Sequence, residues 1–498
     1  MKLNIKDLEK ATSGKLIINN HECLIENISI DSREYKENSL FIPIIGETHD
    51  GHKFLNSAYE NGYRVFLCDN NHDFTKDDIT LIKVEDTKKS LGDIAKYIRN
   101  EYDIEYIGVT GSVGKTTTRD MIYSVLSSKY KTLKNDKNYN NEIGVPKTLF
   151  NLDSKIEKAV IEMGMSVKGE LDYLASIVKP SIAVISNIGM SHIENFENQE
   201  GIFNAKMEIT NYFNKDSILI VNGDDPFLMS FEDDGYKTKY YSISENEYSY
   251  KNNMFNTLNT YRCPKCNSVL KYNYYNIETL GDYYCESCSF KHPESLYKVT
   301  KINYGKKMIF INDKYKIKVN NDMLYSFYNT LAAFSVLSIC GIDEKKITKS
   351  INSLNKDKKI FDTFKKGNKN IYVLNNKCEN AQTYNQSILY TLRNKNKKMV
   401  VLGWKEISRR YEFDDLSWLY DIDFELLKNA NVDKFVVTGP QKYDIAVSLK
   451  LAGISTKNIK IYDDLYKAKD EINSYKNDIY AILNFDYVVP FNNIMEVK

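Results

Sequence analysis

No apolar run in this 498-residue sequence approaches the ~18 residues that a transmembrane helix needs, so no transmembrane segment is expected. The opening stretch, Met1-Lys-Leu-Asn-Ile-Lys-Asp-Leu-Glu, lacks an apolar h-region; no signal peptide and a cytoplasmic location are expected. Neither sign of charge is in excess. Lys and Arg number 68 against 67 Asp and Glu, a net +1, so nothing global points to nucleic acid or an anionic membrane as a partner. Repeats and low-complexity tracts are missing. With 42% hydrophobic and 27% charged residues, the composition excludes a mainly disordered or collagen-like chain. At ~150 residues per domain the length implies about three domains.

Cysteine is scarce and unevenly placed. Cys23, Cys68, Cys340 and Cys378 stand among apolar neighbours, as in Val65-Phe-Leu-Cys68, and read as small core residues. Cys263, Cys266, Cys285 and Cys288 form C-x2-C-x18-C-x2-C. Two such knuckles can place four thiolates tetrahedrally around one Zn²⁺. Two disulfides are the competing pairing, disfavoured by a reducing compartment. Four thiolates leave no open position, so a zinc there is structural. The tyrosine-rich stretch between the knuckles reads as small ribbon strands.

From about residue 104, strands and helices alternate. Ile104–Thr110 is a β-branched, largely apolar run, and Met121, Ile122, Val125 and Leu126 follow at helical spacing. Strands are expected at 159–161, 182–186 and 218–221. This alternation predicts an α/β fold with a parallel sheet covered on both faces. A second α/β pattern, with strands at 371–374, 399–402, 435–438 and 479–483, follows a lysine-rich boundary near 356–369. The expected domains are 1–100, 101–350 with a ribbon insertion at about 255–295, and 351–498. A helix at 93–101 leads into the second.

Gly108-Val-Thr-Gly-Ser-Val-Gly-Lys-Thr116 joins the first strand of the middle domain to its helix. Gly111 and Gly114 let backbone N–H groups converge on phosphates, Lys115 can reach β/γ oxygens, and the Thr116 hydroxyl can take Mg²⁺. A strict G-x-x-x-x-G-K-T would need Gly at 109, which is Val, so this is a variant phosphate loop. The rest of such a site comes from the carboxyl ends of neighbouring strands. Glu162 and His192 stand there as candidate metal ligands, and Asn222-Gly-Asp-Asp-Pro226 ends another strand. Plain alternatives remain for two of these, an exposed histidine and an ordinary turn.

Taken in order, these motifs resemble the Mur ligase family, the ATP-dependent amide-forming enzymes of peptidoglycan synthesis. The resemblance rests on Thr110-Gly-Ser-Val-Gly-Lys-Thr-Thr117, Asn140-Asn-Glu-Ile-Gly-Val-Pro146, Glu162-Met-Gly, Asn187-Ile-Gly-Met-Ser-His192, Ala205-Lys-Met-Glu208 and Asn222-Gly-Asp-Asp-Pro226. The second string, together with Ser29-Ile-Asp-Ser-Arg33 and Asp50-Gly-His-Lys-Phe54, is similar to members of MurF type, which add D-Ala-D-Ala. The four-cysteine insertion, Phe327-Tyr-Asn-Thr-Leu-Ala-Ala333, Asp415-Leu-Ser-Trp-Leu-Tyr-Asp-Ile-Asp-Phe-Glu425 and Asp444–Gly453 resemble members of MurT type. Those amidate the D-glutamate of the stem peptide together with a GatD-like glutaminase. MurF's Asn-Ala-Asn-Pro stretch is absent, and MurT members have no MurF-like first domain. The chain therefore resembles a composite, MurF-type in front and MurT-type behind.

The resemblance implies a three-domain Mur ligase architecture, with ATP, Mg²⁺ and structural Zn²⁺ as cofactors and a UDP-MurNAc-peptide or lipid II as precursor. It implies nucleotide contacts from Gly111, Ser112, Gly114, Lys115, Thr116, Thr117, Asn222, Asp225 and Asn329, and substrate contacts from Ser32, Arg33, Asn140 and Asn141. In the implied reaction a substrate carboxylate attacks the γ-phosphate, and an amine then attacks the acyl phosphate. Lys115 and Thr116 manage β/γ charge, Glu162 and His192 hold Mg²⁺, and Lys206 acts as a carbamate. Asp415 or Asp421 completes the partner glutaminase's Cys–His pair. D-Ala-D-Ala ligation is the alternative. A ligase-like scaffold without catalysis, and a folate or polyglutamate ligase, are the remaining readings.

Overall fold

The structure is a computed structural model that describes residues 2–46, 48–136, 138–188, 196, 199–229, 235–255, 261–354, 361–376, 381–404 and 417–496. Its strands fall into three main sheets and one small ribbon.

The first sheet has five strands, in the order Lys15–Asn19, Thr80–Val84, Val65–Asp69, Ser39–Phe41 and Asn27–Ser29. Only Lys15–Asn19 runs antiparallel to its neighbour. The helix Thr87–Asn100 leads out of this sheet. It begins earlier than the apolar pattern at 93–101 suggests, because the Asp86 carboxylate accepts the N–H groups of Lys88 and Lys89 and caps the first turn.

The second sheet has nine strands: Tyr315–Lys318, Met308–Ile311, Tyr297–Asn303, Lys237–Ile243, Ile218–Asn222, Ile182–Ile185, Glu105–Thr110, Lys158–Glu162 and Thr132–Lys134. From Tyr297–Asn303 to Thr132–Lys134 every pairing is parallel. The alternation in the sequence did not reveal the two antiparallel edge strands, Met308–Ile311 and Tyr315–Lys318. Their connections are tight turns through left-handed Lys307, Asn312 and Asp313, too short for a parallel crossover. Glu105–Thr110 lies between Lys158–Glu162 and Ile182–Ile185, so the chain leaves it toward both sides of the sheet. The crevice of an open α/β sheet forms at such a switch point, beyond the strand's carboxyl end.

The helix Leu324–Ile339 is buried on nearly every face and packs beside the helix Lys115–Leu126. One apolar cluster runs from the first sheet into the second, joining Leu40, Val65 and Ile94 to Ala159, Ile185 and Phe203. The other face of the second sheet closes over Leu324–Ile339.

The third sheet orders Phe361–Lys366, Lys369–Asn376, Asp478–Asn484, Lys398–Gly403, Val432–Thr438 and Ile459–Tyr462. Apart from the leading hairpin it is parallel. Apolar clusters cover both of its faces. The ribbon pairs Lys271–Ile277 with Leu280–Tyr284 antiparallel. Cys68 and Cys340 are buried and Cys23 half-buried, while Cys378 lies outside the described residues. Among the described residues no helix is long and apolar enough to cross a membrane.

Candidate functional site

The site forms where Glu105–Thr110 turns into the helix Lys115–Leu126. Two glycines make the turn possible. Gly111 has φ 140°, and a Cβ there would lie 2.0 Å from the Ser186 hydroxyl oxygen. Gly114 has φ 88°, and a Cβ there would lie 2.1 Å from Oδ1 of Asn329. Asn329, on the helix Leu324–Ile339, is thereby set directly against the phosphate loop. The Asn187 side-chain oxygen accepts the N–H groups of Ser112 (3.1 Å) and Val113 (2.9 Å), and the Ser186 hydroxyl donates to the Val113 carbonyl at 2.6 Å. These contacts fix the loop from the next strand.

Gly114, at the N-cap of Lys115–Leu126, offers no side-chain cap. The first turn thus presents its N–H groups and the positive end of the helix dipole, the arrangement that binds phosphate. Lys115 folds over the loop, its ammonium donating to the carbonyls of Gly111 (2.6 Å) and Ser112 (3.3 Å). Thr116 and Thr117 follow in the same turn and are partly buried.

Glu162, at the end of Lys158–Glu162, is 2% exposed. Its Oε1 accepts the Thr116 hydroxyl at 3.2 Å and the Asn140 amide at 2.9 Å. Its Oε2 pairs with the Arg119 guanidinium at 3.1 Å. Asn135 fixes the backbone on both sides, accepting from Glu162 N–H (2.9 Å) and donating to the Glu162 carbonyl (2.7 Å). Two ligands at right angles on Mg²⁺, each ~2.1 Å away, lie ~3.0 Å apart. The 3.2 Å between the Thr116 and Glu162 oxygens fits that ion. His192, the other expected ligand, lies outside the described residues.

Lys206, on the helix Gln199–Met207, is 3% exposed. Burial first, and then the neighbouring Lys115 charge, push its ammonium well below the ordinary value. Both effects disfavour the charged ammonium relative to the neutral amine.

Other expected residues have evident structural work. Asn141 accepts the N–H groups of Ile143 and Gly144 and caps the following helix. Asn222 accepts the Asp224 N–H within its own turn. Buried Asp225 accepts Ile188 and Phe227 N–H groups, and desolvation raises its carboxyl to about 7. In the first domain Ser32 is buried, while Arg33 is exposed and pairs with Asp31 at 2.7 Å. That hydrogen bond lowers the Asp31 carboxyl to about 2.

Cys263, Cys266, Cys285 and Cys288 come together with all four sulfurs within 4.8 Å of one another. The Cys263–Cys288 and Cys266–Cys285 sulfur separations are 3.5 and 3.4 Å, and the cysteines are free thiols. Tetrahedral Zn²⁺ with ~2.3 Å bonds spaces its sulfurs by ~3.8 Å, so small shifts would admit the ion. Hydrogen bonds from Ser268 hold the Cys266 thiol below its ordinary value, favouring the ligating thiolate. The donor set fits zinc.

Asp421 is partly buried, and desolvation, then the neighbouring Asp423, raise its carboxyl above the ordinary value. Asp415 lies outside the described residues. The sequence reading missed Arg119, Asn135, Ser186 and Asp224. For Arg119 a signal existed: it stands three residues after Thr116, on the same helix face.

Comparison with known proteins agrees with this geometry. Residues 24–99 match the Mur ligase family catalytic domain, 109–286 the Mur ligase middle domain, and 378–487 the MurT ligase C-terminal domain. The chain is 40% identical over 231 residues to a UDP-N-acetylmuramoyl-tripeptide–D-alanyl-D-alanine ligase of Bacillus subtilis, covering 46% of this chain and 50% of that protein. It thus spans about half the length of that relative. It is 27% identical over 403 residues to the MurT subunit of a glutamine-hydrolyzing lipid II isoglutaminyl synthase from Staphylococcus aureus, covering 80% of this chain and 88% of that one. The fold superposes on MurF from Acinetobacter baumannii with a TM-score of 0.74 at 20% identity, covering 100% of this chain and 99% of that one. Matches to the Mur ligase family catalytic domain, the Mur ligase middle domain and the MurT ligase C-terminal domain thus stand in order on one chain, which is similar to Mur ligases along most of its length.

Proposed function

We propose that the protein is an ATP-dependent carbon–nitrogen ligase that activates a carboxylate of a peptidoglycan precursor as an acyl phosphate. The observation that carries this is the convergence of Lys115, Thr116, Glu162 and Lys206 at one strand end. ATP phosphates would lie on the uncapped turn that begins at Lys115. Lys115 would leave its loop carbonyls to meet the β/γ oxygens, and Thr116 and Glu162 would hold Mg²⁺, which supplies charge neutralisation at the transferring group. Arg119 and Asn140 keep the Glu162 carboxylate aimed while it does so. A neutral, buried Lys206 amine is the form that adds CO₂, losing one proton to give a carbamate whose oxygens can serve where an ammonium cannot.

For the nitrogen donor we favour ammonia delivered by a glutaminase partner of GatD type, for amidation of the stem-peptide D-glutamate. The MurT-like C-terminal segment supports it, with Asp415 or Asp421 as the carboxylate that would orient a partner histidine. D-Ala-D-Ala ligation is the second reading, favoured by the D-alanyl-D-alanine ligase relative and the nucleotide-sugar-type first domain. Purified protein would be supplied with ATP, Mg²⁺ and either UDP-MurNAc-peptide or lipid II, then with each donor in turn, and products read by mass spectrometry. Joining of D-Ala-D-Ala to a UDP-MurNAc-tripeptide at an ordinary enzymatic rate, with no partner, would sink the preferred reading.

A further inference from the structure

We infer that the four-cysteine ribbon is a strut that fixes the C-terminal domain against the nucleotide side of the central domain, with Glu278 at its tip as the positioning residue. Two sets of contacts on its hairpin, one to the central sheet and one to the C-terminal domain, carry this.

The hairpin is tied to the central sheet through Asp224, which is fully buried. Its carboxylate accepts the Ile243 N–H (2.9 Å) and the Tyr328 hydroxyl (2.7 Å), and pairs with His292 Nε2 at 2.7 Å. Its carbonyl accepts the N–H of Gly281 in the ribbon at 3.0 Å, and the Tyr283 hydroxyl donates to the Gly223 carbonyl at 3.1 Å. Tyr328 is the chain neighbour of Asn329, whose amide sits against Gly114. The hairpin and the phosphate loop therefore brace the same turn of one helix.

The tip is the turn between the ribbon strands. Glu278 adopts φ 50° there and is 2% exposed, an unusual place for a carboxyl on a hairpin tip. It is buried because the C-terminal domain covers it. The Asn385 amide, on the helix Ala381–Leu392, donates to Glu278 Oε1 at 3.1 Å. That amide also accepts the Asp423 N–H at 2.8 Å and reaches the Asp421 carbonyl at 3.3 Å. Beside it the Tyr325 N–H donates to the Gln386 side chain at 3.0 Å. Arg393 closes the same seam, donating to the Asp322 carbonyl at 3.0 Å with its guanidinium 4.4 Å from the Tyr248 ring and 4.7 Å from the Tyr304 ring. The two knuckles flank the hairpin, Cys266 shortly before its first strand and Cys285 directly after its second.

This inference holds whichever amine the enzyme uses. The test is made on the full chain with Glu278→Ala, Glu278→Met, Asn385→Leu and Glu278→Gln. Solution X-ray scattering reads the domain arrangement, hydrogen exchange reads the helix Ala381–Leu392, and zinc content and Mg·ADP affinity serve as controls. Glu278→Ala and Asn385→Leu are expected to raise the radius of gyration and speed exchange in that helix by roughly tenfold or more, as a local opening would. Zinc content and nucleotide affinity should stay near the parent values. Glu278→Gln keeps the acceptor for Asn385 and is expected to keep the parent scattering curve, whereas Glu278→Met, which fills the same space without an acceptor, is expected to behave like Glu278→Ala; a parent-like Glu278→Met would assign Glu278 a space-filling role and overturn it as the positioning residue. Unchanged scattering and exchange in Glu278→Ala and Asn385→Leu would overturn the strut. Loss of zinc or of Mg·ADP binding in both would equally overturn it, because the tip would then act through the ribbon's own folding.

Discussion

Replacing Arg119 with Met strips the Glu162 carboxylate of its ion-pair partner while roughly preserving side-chain volume. Both members of the pair have side chains only 2% exposed, 3.1 Å apart. Removing one partner of such a pair typically costs about 3–5 kcal/mol, because the remaining charge is buried without compensation. Asp120, which also holds Arg119 at 2.8 Å, keeps Lys134 at 2.7 Å and adds little to the cost. Glu162→Gln removes the charge but can retain the Thr116 and Asn140 contacts, so it should cost only about 1–2 kcal/mol. The double variant should fall within about 1 kcal/mol of Glu162→Gln alone, a coupling of roughly 2 kcal/mol or more. Tryptophan fluorescence is the wrong assay: the chain has two tryptophans, Trp404 and Trp418, and both sit in the third sheet's core. Native-state hydrogen exchange of the helix Lys115–Leu126 reads the central domain directly. Arg119→Met should accelerate its slowest amides by roughly 10²–10³-fold, at about 1.4 kcal/mol per tenfold. Strict additivity of the two single variants would refute the pairing as the reason Arg119 is buried.

Elemental analysis of protein purified under reducing, chelator-free conditions should find one zinc per chain, and Cys263→Ser should lose it and destabilise the ribbon; a zinc-free, fully stable parent would refute the four-thiolate site. Lys206→Ala should lose turnover and recover part of it with short carboxylic acids that replace carbamate oxygens, whereas full activity without additive would exclude the carbamate. Burial raises the Glu278 carboxyl from 4.5 to about 7, so the stability contributed by its neutral form is complete below about 4.5 and lost as pH rises through about 7. Glu278→Gln escapes that loss and should gain up to about 3 kcal/mol on the parent between those values, measured by unfolding midpoints across pH; a pH-independent difference would contradict it. Asp421→Asn should abolish glutamine-dependent amidation and spare ammonia-dependent amidation, and equal loss of both would assign Asp421 a structural role instead.

Much of the central site was legible because its chemistry is local. A phosphate loop needs glycines, a lysine and a hydroxyl within one turn, and Gly111 to Thr116 supply them consecutively. Glu162 was legible because it ends an apolar strand. The supporting shell was not. Asn135 and Ser186 act through backbone contacts across strands, and no residue spacing announces those partners. The antiparallel edge escaped for a related reason: Met308–Ile311 is as apolar as a central strand, and only the short turns on either side fix its direction. Within Asn222 to Pro226, what the sequence did not announce is the part played by Asp224, which is turned toward the ribbon and Tyr328.

That turn bears on the composite character of the chain. The MurF-like first sheet and one face of the central sheet share a continuous apolar cluster, so the front half is one packed body. The ribbon and the C-terminal segment that matches MurT are distant in sequence, yet Glu278 and Asn385 join them directly. Asn385 then holds both Asp421 and Asp423 by their backbones. A ribbon displaced by a few ångströms would move the very segment proposed to face a partner. The ribbon leaves the central sheet between the interior strands Lys237–Ile243 and Tyr297–Asn303 and meets the C-terminal domain through Glu278.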